Sequence, residues 1–303
     1  MRKAVKLVVM GLPKAGKTTF LAALWHILLS NEVKDSLFLA ELQPSREHLN
    51  AIATLWRQWK PLPRTTLPKE RVVTINLQIP DRPQIYELAV PDASGEAFRR
   101  IFETRRCSND FHALASEAEA VILFVHPAQA IPPKQIDMGI DKLSELLDGP
   151  SGDVKTGATG TAEIEAPSLP AGEPLKWSPK YAAYQAKLVD LLQISRRIRG
   201  NAPLRLAVVI SAWDLCTVEN LIPTKWIEER LPLLHQYLIA NADRCPFDIY
   251  GVSAQGAELK SPGALVDALR ASDRIKVDWN GSILGDLSLP IRRLLSQDES
   301  ATK

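Results

Sequence analysis

The 303-residue chain has few of the side chains that cross-link or metallate a fold. Its three cysteines, Cys107, Cys216 and Cys245, lie too far apart in sequence to form a zinc spacing or a disulfide framework, which fits a reducing cytoplasm. The five histidines form no HExxH pattern and no Cys/His cluster, which argues against a metal held by protein ligands alone. No apolar run reaches the about 18–20 residues that a membrane-spanning helix needs. The nearest, Phe20–Leu29, is short and contains His26. The N-terminus is charged and then briefly apolar, but it runs straight into Gly and Lys with no small-residue cleavage site, so no signal peptide is expected. An excess of one charge is missing too. Lys plus Arg is 37 and Asp plus Glu is 35, a net charge of +2, which disfavours nucleic acid as the primary ligand. What is present is a globular composition, 46% apolar and 24% charged, at a length that suits one large domain with an insertion.

Short apolar strands alternate with helical stretches, the pattern of an α/β fold with a mostly parallel sheet. Strands are expected at Val5–Met10, Val72–Ile79, Ile85–Val90, Ala120–Val125, Leu204–Ser211 and Phe247–Val252. The turn Pro80-Asp81-Arg82-Pro83 joins the second and third as a hairpin and predicts one antiparallel edge. Helices are expected over Thr18–Leu29, with Phe20, Leu24, Ile27 and Leu28 on one face, and over Ser45–Trp59, with Leu49, Ile52, Trp56 and Trp59 at helical spacing and Ser45 as N-cap. Further helices are expected over Tyr181–Arg199 and Thr224–Asn241. Pro127–Asp148 reads as partly helical. Residues 149–179 are rich in Gly, Pro, Ser, Thr and Ala, with too little apolar surface to offset their ordering entropy, so a flexible loop is expected there. The domain organisation that follows is a single domain over 1–295, an insertion over 127–203 and a frayed tail over 296–303.

The strongest signal is Gly11-Leu-Pro-Lys-Ala-Gly-Lys-Thr18, which fits G-x-x-x-x-G-K-[ST] at every fixed position. A chance match in a chain of this length is roughly a one-in-a-hundred event on ordinary residue usage. An apolar strand precedes it and an amphipathic helix follows, as the chemistry requires. Gly11 and Gly16 let the backbone wrap a polyphosphate without Cβ clashes. The N–H groups from about Lys14 and Ala15 through Gly16, Lys17 and Thr18, with Thr19 next in line, face phosphate oxygens at the positive end of a helix. Lys17 brings a mobile charge to the β- and γ-phosphates, and the Thr18 hydroxyl suits Mg²⁺.

Later motifs point to the class of nucleotide. After Ile85–Val90 comes Pro91-Asp92-Ala93-Ser94-Gly95-Glu96. Asp92, at the end of a strand beside the phosphate loop, suits Mg²⁺ through water, and Gly95 can offer its N–H to a γ-phosphate. This D-x-x-G spacing is the switch II pattern of GTPases. Leu206–Ile210 then leads into Ser211-Ala212-Trp213-Asp214, where GTPases usually carry [NT]-K-x-D. Asp214 matches the carboxylate that accepts from guanine N1 and N2, while Ser211 and Ala212 replace Asn/Thr and Lys. Trp213 reads as a core tryptophan. Phe247–Val252 ends in Ser253-Ala254-Gln255, where GTPases often have S-A-K and read guanine O6 with backbone N–H groups.

With these residues in place, the chain resembles the translation-factor-related (TRAFAC) class of P-loop GTPases. Gly-Leu-Pro-Lys-Ala-Gly-Lys-Thr-Thr-Phe-Leu-Ala-Ala-Leu-Trp, with Pro91–Glu96, looks most like the double-GTPase families of bacterial conflict and antiviral defence systems. The resemblance implies a three-layer Ras-like P-loop domain, GTP or GDP with Mg²⁺ as ligands, and a protein partner, an activator or effector encoded alongside.

Switch I is expected between the first helix and Val72. Thr65 and Thr66 are the candidates for sensing Mg²⁺ and γ-phosphate, Thr66 being preferred, and Arg64 is a weaker candidate for charge stabilisation. Glu96 stands where many small GTPases carry a water-orienting Gln. A carboxylate beside the γ-phosphate is disfavoured without a compensating cation, so slow intrinsic hydrolysis is expected, increased by a partner. Arg99, Arg100, Arg105 and Arg106 read as a solvated basic face of the next helix, Arg196–Arg199 as a helix C-terminus, and His126 as a cap. The reading is a Mg²⁺-dependent GTP switch with catalytic roles for Lys17, Thr66 and Glu96. A nucleotide-binding scaffold that does not hydrolyse and an ATP-using P-loop protein are the rivals.

Overall fold

The computed structural model describes residues 5–34, 36–40, 46–63, 72–80, 82–91, 95–130, 179, 182–257, 259 and 270–296. It divides the chain into two compact units, Met1–Ile131 with Tyr184–Lys303, and Pro132–Ala183. The second unit lies almost wholly outside the described residues, and with it nearly all of the 149–179 stretch. Ser45 and residues 297–303 lie outside them as well.

The first unit is built on a nine-stranded sheet in the order β2-β3-β4-β1-β5-β6-β7-β8-β9. Its strands are β1 (Val5–Met10), β2 (Phe38–Leu39), β3 (Val72–Gln78), β4 (Ile85–Pro91), β5 (Ala120–Val125), β6 (Arg205–Ser211), β7 (Phe247–Ser253), β8 (Lys276–Trp279) and β9 (Ser282–Leu284). The central strands β4, β1, β5, β6 and β7 pair in parallel. All of β5 and β6 is buried, as expected of strands covered on both faces. Alternation sorts their side chains into two cores. Leu7, Val9, Ile122, Phe124 and Val209 face one way, and Val8, Met10, Leu123, Val125 and Val208 the other.

The single antiparallel edge expected from the sequence is too simple. The β3–β4 hairpin forms in antiparallel register, but β3 is not the edge, because the two-residue β2 adds outside it. At the opposite side, β8 and β9 extend the sheet by two further antiparallel strands. Asn280 and Gly281 connect them, both at positive φ (51° and 84°), the conformation of a tight hairpin turn.

Among the described residues, three helices cover the first core: α1 (Lys17–Ser30), α2 (Arg46–Arg57) and α8 (Leu289–Ser296). Burial of α1 exceeds the predicted single face, since Leu21, Ala22, Ala23 and Trp25 are buried too. It is wedged between the sheet and α2, whose Leu49, Ile52 and Trp56 repeat at helical spacing. The helix expected to run to Trp59 ends at Arg57, and Trp59 takes a left-handed turn at φ 57°.

The second core lies under α3 (Gly95–Thr104), α4 (Asn109–Glu117), α5 (Tyr184–Arg199), α6 (Pro223–Arg230) and α7 (Pro232–Ala240). The helix expected over Thr224–Asn241 is thus two helices. Pro232 has no N–H to continue the first and forces Leu231 out of helical geometry, to φ −134°, ψ 58°. Arg105 and Arg106 fall beyond the end of α3 rather than on it, and Arg105 pairs with Asp190 of α5. In the stretch after β5, only Pro127–Gln129 is described as helical, a single 3₁₀ turn.

The sheet order decides where a ligand goes. From β1 the chain passes to one side of the sheet through β2, β3 and β4, then returns across β1 to β5. Neighbouring connections therefore leave the carboxyl end of β1 for opposite sides, and a crevice opens there. With helices on both faces and the phosphate loop at that point, this is the three-layer Ras-like P-loop architecture.

Candidate nucleotide site

The loop Gly11–Gly16 joins β1 directly to α1, with Gly16 as the helix N-cap at φ 88°. Both fixed glycines have a steric reason. A Cβ on Gly11 would stand 3.0 Å from the Phe124 backbone oxygen and Cβ. On Gly16 it would stand 2.6 Å from the Ser211 Cβ, and the left-handed φ is itself costly for any L side chain. The loop is thus clamped against the ends of β5 and β6. Lys14, exposed, takes a second left-handed position at φ 61°, and Ala15 N–H closes a turn on the Leu12 carbonyl at 3.3 Å. Gln129 Nε2 braces the loop from outside by donating to the Pro13 carbonyl at 2.7 Å.

Lys17 opens α1. Its ammonium donates to the carbonyls of Gly11 (2.6 Å) and Leu12 (3.1 Å) and lies 5.7 Å from the centre of the Phe98 ring. Burial lowers its pKa to about 8. Thr18 and Thr19 follow in the first turn of α1, half-buried. The helix begins without an acidic side chain in its first turn, so its positive end is uncompensated.

Next to this loop a cavity of about 400 Å³ opens between the carboxyl ends of the sheet and α1. The structure brings together here Gly16 and Thr19 from the phosphate loop, Ala212 and Asp214 from the end of β6, and Ala254 and Gln255 from the end of β7. The Ser253 hydroxyl donates to Asp214 Oδ1 and fixes the carboxylate's orientation. Ser211, buried, donates to the Val125 carbonyl at 3.2 Å. Gln255 Nε2 is a buried donor with no partner among the described residues. Ala212 holds a left-handed backbone at φ 48°.

Trp213 takes no part in this cavity. It is 7% exposed, its Nε1 donates to Asp278 on β8 at 3.1 Å, and its ring meets that of Trp226 edge-on, so it is a core residue. His126 acts as a cap, its Nδ1 accepting from Ala128 N–H at 3.2 Å, and it also lines the cavity. Burial lowers its pKa, with the Asp214 charge opposing. The sequence reading missed the opposite wall, made of Lys60, Pro61 and Leu62 just past α2. No local signal marks these residues; only the tertiary placement of α2 brings them to this cavity.

The switch elements divide. Gly95 opens α3, and Glu96 in its first turn pairs with Arg99 at 2.8 Å, both side chains about half exposed (49% and 51%). Arg99 also reaches Glu103 at 3.5 Å. Asp92, Arg64, Thr65 and Thr66 lie outside the described residues.

The phosphate loop and an aspartate held in place by Ser253 line one cavity, and the sequence profile of the Double-GTPase 1 family matches residues 8–294. The chain belongs to the Double-GTPase 1 family. It is a P-loop protein that binds guanosine nucleotides. Among solved structures it is similar to the signal recognition particle receptor SRb-GTP/SRX complex from Chaetomium thermophilum, at 13% identity and a TM-score of 0.38, over 87% of this chain and 95% of that one. No curated protein matches the sequence. No helix among the described residues of this double-GTPase is long and apolar enough to cross a membrane.

Proposed function

We propose that the protein is a Mg²⁺-dependent GTP switch that hydrolyses its nucleotide slowly and acts through a protein partner. The observation that carries this reading is the meeting of the phosphate loop and Asp214 in one cavity. Lys17 and the N–H groups of residues 14–18 hold the β- and γ-phosphates, and the Lys17 ammonium exchanges its two loop carbonyls for phosphate oxygens. Asp214, oriented by Ser253, accepts from guanine N1 and N2. On adenine the same carboxylate would face an acceptor at N1 and have no amino group at position 2. Gln255 Nε2 and the N–H groups after Ser253 supply donors for O6.

Mg²⁺ suits the donors present. The Thr18 hydroxyl is a hard oxygen ligand, and Thr66 and Asp92, the latter through water, complete the set. The ion would neutralise charge on the transferred phosphoryl group.

Slow hydrolysis follows from Glu96. A carboxylate ion-paired to its own helix neighbour, Arg99, is a weak orienter of water. The partner enters as the source of whatever charge compensation is missing, and the role in bacterial conflict or antiviral defence rests on family resemblance. The same Glu96–Arg99 pair favours the second reading, a scaffold that binds without turnover.

Single-turnover assays with radiolabelled GTP and Mg²⁺, run against competing ATP, test both. GTP outcompeting ATP with slow phosphate release supports the switch. Bound GTP that yields no phosphate supports the scaffold, and a preference for ATP removes the Asp214 assignment.

A further inference from the structure

The usual lysine beside the guanine is absent at Ala212, yet the cavity has a lysine on its other side. Lys60 sits at the exposed rim, and among the described residues its ammonium has no ion-pair partner. Its placement is not loose. The chain leaves α2 through the left-handed Trp59, and Lys60 N–H is tied back to the Leu55 carbonyl at 2.9 Å.

That turn is clamped from behind. The Arg274 guanidinium, 2% exposed, is sandwiched between the rings of Trp56 (3.9 Å to centroid) and Trp59 (4.5 Å), and donates to the Trp56 carbonyl at 2.7 Å. Trp56 is fully buried, and its Nε1 donates at 3.0 Å to the carbonyl of Ala254, in the loop that faces guanine O6. A trans peptide sends the next N–H, that of Gln255, the opposite way from Trp56. Gly256 completes the clamp, because a Cβ there would stand 2.8 Å from the Arg274 carbonyl oxygen.

We propose that the end of α2 is a working wall of the guanine pocket: Lys60 lies against the base in place of the missing lysine at 212, and Trp56 and Arg274 are positioning residues that lock this wall to the O6-reading loop. The inference rests on the GTP-site reading above. A lysine stem offers apolar contact to a flat ring, and its ammonium is attracted to the π-face. One rigid unit then sets both the face and the edge of the base, which accounts for a guanine site that works with Ala at 212 and Gln at 255. It also ties base recognition to the chain that leads directly into the expected switch I.

The test is equilibrium titration of the full chain with fluorescent GDP and GTP, Mg²⁺ present. Lys60→Ala is expected to weaken both nucleotides equally, by about tenfold, within the range of a cation against an aromatic face. Lys60→Arg should restore affinity to within about threefold. Since Lys60 is exposed, these variants should melt as the wild type does. Trp56→Phe, which keeps an aromatic ring but removes the donor, should reduce the preference for GTP over 6-thioguanosine triphosphate, which keeps N1–H and the 2-amino group and carries sulfur, a weaker acceptor, in place of O6. Unchanged affinity in Lys60→Ala overturns the wall. So does a loss confined to GTP, which would place Lys60 at the γ-phosphate. An unchanged preference in Trp56→Phe overturns the positioning role. If the wild-type protein binds no guanosine nucleotide at all, the GTP-site reading itself falls, and that result is distinct from the other three.

Discussion

At the phosphate end of the cleft, two glycines, a lysine and a threonine fill every position that polyphosphate binding requires. At the base end, three positions that usually read guanine hold Ser211, Ala212 and Gln255. The two ends share one sheet edge but differ in what constrains them. The phosphate loop is fixed by its own backbone: Gly16 has no room for a Cβ against Ser211, and Gly11 none against Phe124. A loop with so little steric freedom tolerates few alternatives. The base end is fixed by side chains from several distant segments, and a group missing from one can be supplied by another. The proposed Lys60 wall would be one such replacement, and the contrast between the two ends is what the following variants test.

The comparison breaks most visibly at Lys17. If the phosphate end carries the affinity, Lys17→Met should raise the Kd for GTP by at least about 100-fold, the scale of removing a charge-assisted hydrogen bond from a desolvated site. The same change should not weaken the fold. Burial holds the Lys17 pKa at about 8 against 10.5 in the unfolded chain, so the charged form is disfavoured in the folded protein. The methionine variant is therefore expected to fold with a stability close to that of the wild type at neutral pH, because the burial penalty it removes and the two charge-assisted carbonyl hydrogen bonds it forgoes are of similar size. The pH dependence has a definite sign. Between about 8 and 10.5 the unfolded chain holds the proton that the folded protein has released, so stability of the nucleotide-free wild type rises with pH across that window. Nucleotide phosphates favour the charged form, so affinity is full below pH 8 and falls above it. Thermal melts and titrations from about pH 7 to 10, wild type against variant, check both. A variant that binds GTP normally, or an affinity flat across this range, would remove Lys17 from the phosphate-binding set.

The second break is at Asp214. Asp214→Asn replaces an acceptor pair by one acceptor and one donor. The Asn carbonyl can still accept from Ser253, so the loop should hold. GTP is expected to weaken by about 30- to 100-fold, the loss of a bidentate charge-assisted bond, while xanthosine triphosphate, which carries a carbonyl where guanine has its amino group, gains. If both nucleotides bind the variant as they bind the wild type, the base end recognises shape alone, and the contrast with the phosphate end is sharper still.

How far the sequence reveals each region follows from how local its determinants are. The phosphate loop reads directly, because Gly11, Gly16, Lys17 and Thr18 act within one turn of chain. The five parallel strands read as apolar runs, since both faces of each are buried. Asp214 is legible by its place after β6, and Ser253 by its place at the end of β7. The edges are harder. The two residues of β2 carry no pattern at all, and β8 and β9 are short, although Asn280-Gly281 is a hairpin signal that marks their turn. The break between α6 and α7 is also legible at Pro232. The placement of Lys60 is not, because nothing in Trp59-Lys60-Pro61 reveals that Arg274, more than 200 positions away in sequence, pins that turn beside the cavity.

The smallest expected effect tests whether the rebuilt end carries a cost in stability. Ala212 sits where a GTPase usually has lysine, and its backbone is left-handed at φ 48°. For a non-glycine residue that conformation costs about 1–2 kcal/mol. Lysine would bear nearly the same backbone cost, so the strain belongs to the bend after β6 and not to the loss of the lysine. Ala212→Gly relieves it, against a gain in unfolded-state freedom of about 0.4–1 kcal/mol. The net expectation is a stabilisation of about 0.5–1 kcal/mol in denaturant unfolding. Affinity for GTP should stay within about twofold, because no side chain that touches the base is removed. A destabilised variant would mean that the Ala212 methyl packs usefully in the cavity. A variant with much weaker GTP binding would mean that the fixed bend itself holds Asp214 in place, and that the base end is as dependent on its backbone as the phosphate end.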